Sequence, residues 1–230
     1  MNRAKKITEL QRVASTQIPT EWGIFQVTGF QYETLGSPNQ AETAVALAMG
    51  DLNEDAPLLR IHSQCLTGDV FGSLRCDCGE QLKIAMRAIA REGRGLVIYE
   101  QKEGRGIGLM AKLQAYSLQD VGLDTIEANH ALGFVTDCRT FDLPVAILQH
   151  LGIYRVRLLS NNQEKFRALV DGGIEVVKQI SCEAIPNPYS IDYLRTKKDK
   201  MGHDLNLGGY ESMESSIFPY FNLLDAEVER

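Results

Sequence analysis

From Leu58 to Val177 the chain alternates two kinds of segment, and this limits its fold more than any other feature. Leu58-Leu-Arg-Ile-His, Leu96-Val-Ile-Tyr, Val156-Arg-Leu-Leu and Ile174-Glu-Val-Val read as short strands. Between them lie segments of helical period. Leu82, Met86 and Ile89 recur before a stop at Gly93, and Leu109, Leu113 and Tyr116 mark a second helix. Pro144 opens a third, which Gly152 ends. Asn161 or Asn162 caps a fourth, containing Phe166, Leu169 and Val170 and stopped by Gly172-Gly173. Strands alternating with helices predict an α/β layer with at least partly parallel pairing. Ahead of it the chain reads as mainly β. A hairpin-like pair of strands starts at Ile18, a turn cluster covers 36–40, and Thr43, Val45 and Leu47 mark a strand followed by a polar loop over 51–57. The expectation is one α/β core built on a mixed sheet, with the first dozen residues as a short helix or ordered arm.

Composition narrows the class. With 230 residues, 44% apolar and 23% charged, the chain can bury a sizeable core and looks like an ordinary soluble protein. A net charge of −6 argues against a nucleic-acid polymer as partner, while a local basic pocket for one phosphorylated ligand fits. No apolar run has the length of a membrane span, and the first residues lack the apolar stretch of a secretion signal. Five cysteines, an odd number, suit a reducing cytoplasm better than a disulfide framework.

Three of those cysteines, Cys65, Cys76 and Cys78, fall within fourteen positions. Clustered thiolates are soft-metal ligands, and zinc is the commonest choice. A structural zinc site takes four protein ligands, whereas a catalytic one takes three and keeps a place for water. Three cysteines without a second C-x-x-C pair point to a working metal; His62 as a fourth ligand would close the site. A Cys65–Cys78 disulfide, or plain buried thiols, are the alternatives. Cys138 and Cys182, without metal-like partners, read as structural.

Two strand-end loops come next. Glu103-Gly-Arg-Gly-Ile-Gly108 joins a strand to a helix, as a tight turn or as a cradle of backbone N–H groups for phosphate, and Arg105 favours phosphate. Ser160-Asn-Asn-Gln-Glu-Lys165 holds the equivalent place after another strand, where ligands of α/β sheets collect. Asp137-Cys-Arg139 is either a surface ion pair or two groups reaching one substrate. The basic run 193–203 is a solvated face or a flexible lid over an anion. The residues unaided describe a metal-activated water beside a phosphate pocket, suited to hydrolysing a C–N bond.

In order and spacing, H-S-Q-C-L-T-G-D, S-L-R-C-D-C-G, E-G-R-G-I-G-L, A-Y-S-L-Q-D, D-T-I-E-A-N-H, L-G-F, D-C-R, L-S-N-N and T-K-K-D-K-M-G-H resemble GTP cyclohydrolase II from about residue 18 to 205. The resemblance implies a catalytic domain over 18–205; an arm over 1–17 precedes it, and the Gly, Ser and acidic residues of 206–230 read as a loosely ordered tail outside it. The resemblance implies loss of C8 of GTP as formate, with pyrophosphate, at the start of riboflavin synthesis. Cys65, Cys76 and Cys78 match the zinc ligands. Arg60, Ile61, His62, Ser63, Gln64, Gln81, Glu103, Gly104, Arg105, Thr125, Ser160 and Lys165 match GTP contacts. Asp137 matches a proton acceptor, Arg139 the group proposed to attack the α-phosphate, and Tyr116 a tyrosine near the reacting ring. Mg2+ with the triphosphate and a homodimer are implied as well. The chain departs from the family pattern at Gln64 (usually Glu), Lys102 (usually Gln), Thr140 (commonly Asp) and Ser160 (Thr). Those departures leave room for a paralogue that keeps the formyl group or uses another nucleotide, or for a non-catalytic binder.

Overall fold

The computed structural model describes residues 7–34 and 42–207. β1 (Ile7–Thr20), β2 (Gly23–Thr34) and β3 (Glu42–Met49) form an antiparallel meander. β4 (Leu58–Ser63), β5 (Gly95–Glu100), β6 (Arg155–Leu159) and β7 (Glu175–Ile180) form a parallel set. Antiparallel pairing of β3 with β5 joins them into one mixed sheet, in the order β1-β2-β3-β5-β4-β6-β7. The helices described are α1 (Leu66–Asp69), α2 (Cys78–Glu92), α3 (Leu109–Asp120), α4 (Thr125–Ala131), α5 (Asp142–His150), α6 (Gln163–Asp171) and α7 (Ile191–Met201). The turn cluster expected at 36–40, and the tail from 208 on, lie outside the described residues. No described helix is long and apolar enough to cross a membrane.

The chain start differs from expectation. Residues read as a short helix or arm belong, from Ile7 on, to β1, and the expected boundary at 17/18 falls inside that strand. Ile7, Leu10 and Val13 stand at near-helical spacing. Pairing with β2 shifts register between Ile7 and Glu9 and between Arg12 and Ala14, which breaks the two-residue alternation that marks a strand. Pro19 is tolerated because β1 is an edge strand.

Alternation along the parallel strands sorts the side chains between two layers. Leu59, Ile61, Leu96 and Ile98 pack with Leu143, Ile147 and Leu148 of α5 and Leu169 of α6. Leu58 and Val97 point the other way, towards Ala85, Met86 and Ile89 of α2. Both faces are covered, so these strands read as nearly continuous apolar runs. Each fully buried Leu or Ile contributes roughly 1.5–3 kcal/mol. Arg60 and His62 alternate with Leu59 and Ile61 and so lie on the α2 side of the sheet. β4, β5 and β6 end at the same edge, and their following loops meet there.

Candidate active site

The strand ends first build a thiolate cradle. β4 ends at Ser63, and Gln64 N donates to Glu100 O at the end of β5 (2.8 Å). Cys65 then starts α1, a single turn, and the chain returns through Cys76 to begin α2 at Cys78. The three sulfurs lie within 4.8 Å of one another, with Cys65 and Cys76 Sγ 3.6 Å apart. Thiolates ~2.3 Å from a tetrahedral zinc stand about 3.8 Å from each other, so these residues fit the ion. Two glycines permit the closeness. A Cβ at Gly68 would stand 3.0 Å from Cys76 Sγ and 3.2 Å from Cys65 Sγ, and one at Gly79 would lie 2.3 Å from Gly68 O. His62 is engaged elsewhere: Nε2 faces Asp69 Oδ1 at 3.1 Å and the ring stacks on Tyr99. All five cysteines are free thiols, which removes the disulfide alternative.

Beside the cradle lies a group that sequence reasoning missed. Lys112 Nζ donates to Glu103 Oε1 (2.8 Å), Thr67 Oγ1 (2.9 Å) and Cys65 Sγ (3.0 Å). Burial lowers its pKa, but the bonds to Glu103 and Cys65 outweigh burial and raise it, so the amine stays charged. A cation one turn into α3, where the helix field opposes it, was the available signal. Glu103 is spent inside the protein: Oε1 also accepts Gly104 N (2.9 Å) and Oε2 accepts Leu66 N (2.6 Å). Its carboxylate ties the turn Glu103–Gly106 to α1.

The same cleft is also lined by basic side chains. Gly104 (φ 58°) and Arg105 (φ 59°) are left-handed, a conformation costing a non-glycine residue roughly 1–2 kcal/mol. Both Nη atoms of Arg105 are buried without a hydrogen-bond partner. Arg60 donates to Leu159 O (3.0 Å) and Gln81 Oε1 (2.7 Å), and Lys165 Nζ to Ile61 O (2.9 Å). Burial first, then Arg60 and Arg139, push the Lys165 pKa well down. Among the described residues no carboxylate makes an ion pair with Arg60, Arg105 or Lys165, so the pocket calls for a polyanion. Ser160 stands at the end of β6, its hydroxyl accepting Asn162 N (3.1 Å). Asn162 in turn caps α6 through Glu164 N (2.8 Å), as expected of that pair of asparagines.

Asp137 and Arg139 are a buried pair, not a surface one, with side chains 10% and 11% exposed. Nε lies 2.9 Å from Oδ1 and Nη2 lies 2.5 Å from Oδ2, while Nη1 donates to Ser63 Oγ (3.2 Å). Burial raises the Asp137 pKa, but the bonds from Arg139 more than reverse it and hold it below the usual carboxylate range. Lys102, one of the departures, is absorbed locally by Glu100 (2.9 Å), Glu42 (3.3 Å) and Thr140 O (2.5 Å). Gln64 lines the cleft.

The basic run is a helix and forms a wall of the cleft. Lys198 and Lys200 of α7 are exposed, whereas Lys197 is buried and pairs with Asp77 (2.7 Å), between two of the cysteines. Asp77 also accepts Gln81 Nε2 (2.7 Å), so Lys197, Asp77, Gln81 and Arg60 form one chain of contacts. After Gly202 the backbone is pinned to the β6 loop, where Asn161 Nδ2 donates to Asp204 O (2.6 Å). α4 escaped sequence reasoning although Asp124 and Glu127 form a capping box; it brings Thr125 to the cleft. The residues matched to catalysis, substrate and metal line this cleft except Ile61, whose side chain is in the core, and Asp137, which backs Arg139. Cys182 is buried as expected, but Cys138, expected to be structural, is exposed because it sits in the loop carrying that ion pair.

Fold and site together define an α/β protein in which a three-cysteine cluster able to hold a metal ion opens onto a cleft lined by basic side chains at the carboxyl ends of parallel strands. The chain belongs to the GTP cyclohydrolase II family, a family of hydrolases, whose sequence model matches residues 11–181. It is 50% identical over 198 residues to GTP cyclohydrolase-2 of Histophilus somni (strain 2336), covering 86% of this chain and 89% of that one. GTP cyclohydrolase-2 of Shewanella amazonensis is 49% identical over 195 residues, covering 84% and 93%. A two-domain 3,4-dihydroxy-2-butanone 4-phosphate synthase from A. baumannii overlaps 76% of this chain and 40% of its own at TM-score 0.42 and 21% identity, too distant to bear on function.

Proposed function

We propose that the protein carries out zinc-dependent hydrolysis of GTP, opening the imidazole ring and releasing formate and pyrophosphate. The product is a diaminopyrimidine ribosylamine phosphate, and the reaction opens riboflavin synthesis. The observation that carries this reading is one cleft lined both by Cys65, Cys76 and Cys78 and by Arg60, Arg105 and Lys165, basic side chains without a carboxylate partner among the described residues. Membership of the family and the printed names of the relatives support it.

Cys65, Cys76 and Cys78 would hold zinc, which supplies Lewis-acid activation of water near neutral pH. In this reading the nucleotide lies with its ring at the cysteines and its phosphates at Arg60, Arg105 and Lys165. Tyr116 faces the ring as a hydrogen-bond donor, since burial raises its pKa and keeps it protonated. Arg60, Arg105 and Lys165 neutralise the triphosphate, accompanied by Mg2+, and the Ser160 hydroxyl adds a neutral donor. Arg139 attacks the α-phosphorus: an N–P bond forms, the bond to the bridging oxygen breaks, and pyrophosphate leaves with that electron pair. Asp137, already bonded to Nη2, takes the proton, and water then cleaves the N–P bond, which frees Arg139 and leaves the product as its monophosphate. The working state is a cytoplasmic homodimer. Metal-loaded protein given GTP and Mg2+ should yield formate and pyrophosphate; if neither forms, the reading is lost. The mass of the product distinguishes complete reaction from ring opening that retains the formyl group.

A further inference from the structure

We infer that Lys112 is a positioning residue for the thiolate centre, its ammonium offsetting through Cys65 the excess negative charge that three thiolates place around a divalent cation. The inference rests on the zinc reading above. The three N–H bonds of the ammonium have three acceptors, Cys65 Sγ, Thr67 Oγ1 and Glu103 Oε1, so its orientation is set. Lys112 is 8% exposed and lines the cleft. Burial and the N-terminal field of α3 both oppose a cation there, and a cation held against both has a local reason.

That reason is charge. Three thiolates and Zn2+ sum to −1, and each thiolate donates electron density to the ion. Such a centre polarises water less than one held by neutral imidazoles. A charged N–H···S bond draws density off one sulfur and returns acidity to the metal. Glu103 fixes the donor from behind, with Oε2 on Leu66 N and Oε1 on Gly104 N. The turn at Glu103 and the segment Cys65–Thr67 therefore hold the same ammonium and are tied to each other through Leu66 N.

The test is cobalt(II)-substituted protein and its thiolate-to-cobalt charge-transfer band. Lys112→Met keeps an unbranched stem and loses the charge. Its band should move to lower energy, because the Cys65 sulfur becomes richer in electrons. In the zinc form kcat should fall about 10–100-fold with KM for GTP little changed. Lys112→Arg, which keeps a charged donor, should return the band towards its position in the unaltered protein. Lys112→Gln reads the same shift, smaller in size, if the Met variant does not fold. A band that stays in place in the neutral variants at full cobalt occupancy overturns the inference and leaves the zinc reading intact. An unaltered protein with no thiolate-to-cobalt band removes the zinc reading, and the inference with it.

Discussion

Arg139 is held by Asp137 through two nitrogens and keeps Nη1 for Ser63 and the cleft. A group bound so firmly is placed for one step and not for general affinity. Arg139→Ala should therefore slow pyrophosphate release far more than it weakens nucleotide binding, as read from single turnovers against equilibrium binding. Equal losses would make it a plain binding residue. His203 carries a different prediction. Burial, then Lys197, push its pKa down to about 3, with Lys165 and Arg139 adding to the effect and Met201 O opposing it, against 6.5 for an ordinary histidine. Between those values the unfolded chain binds the extra proton, so stability falls as pH falls. By pH ~5.5 the loss relative to neutral pH is about 1 kcal/mol. His203→Asn should remove that part of the acid slope in urea unfolding measured at both pH values. The same slope in the variant would exclude His203 as its source.

α7 is held to the cysteine loop by Lys197 and Asp77. Removing one member of a buried pair leaves the other uncompensated, at a cost of roughly 3–5 kcal/mol. Lys197→Met should speed hydrogen exchange along α7 while β4 and β5 stay protected, and should raise KM for GTP. Unchanged exchange in α7 would show that its apolar contacts suffice. This element also shows where sequence reading stops. Three lysines in T-K-K-D-K look alike, and only an aspartate 120 residues away makes Lys197 the buried one. β1 was hidden by its two register shifts, and Lys112 by partners in two other loops. By contrast α2 was legible, because Leu82, Met86, Ile89 and the left-handed Gly93 are local signals. So was Asn162, whose cap contact reaches only two residues on. The cysteines were legible because three fall within fourteen positions, although Cys65 and Cys76, eleven residues apart, meet at 3.6 Å only because the chain turns back through α1.

At the scale of the whole molecule, the parallel strands end together and their loops build one cleft, so the site and the sheet edge stand or fall together. A ligand that binds only the folded state stabilises by about 2.7 kcal/mol when present at ~100 times its dissociation constant. Chelation of zinc should therefore lower the unfolding temperature of the entire protein in a single transition, and added zinc should restore it. An unfolding temperature indifferent to chelator would show that the cradle stands without its ion. The late return of α7 to Asp77 has a consequence for how the molecule is made. A nascent chain on the ribosome exposes Cys65, Cys76 and Cys78 well before the residue that walls them in has been translated. During synthesis the thiols are open to oxidants and to whichever metal arrives first, and docking of α7 ends that interval.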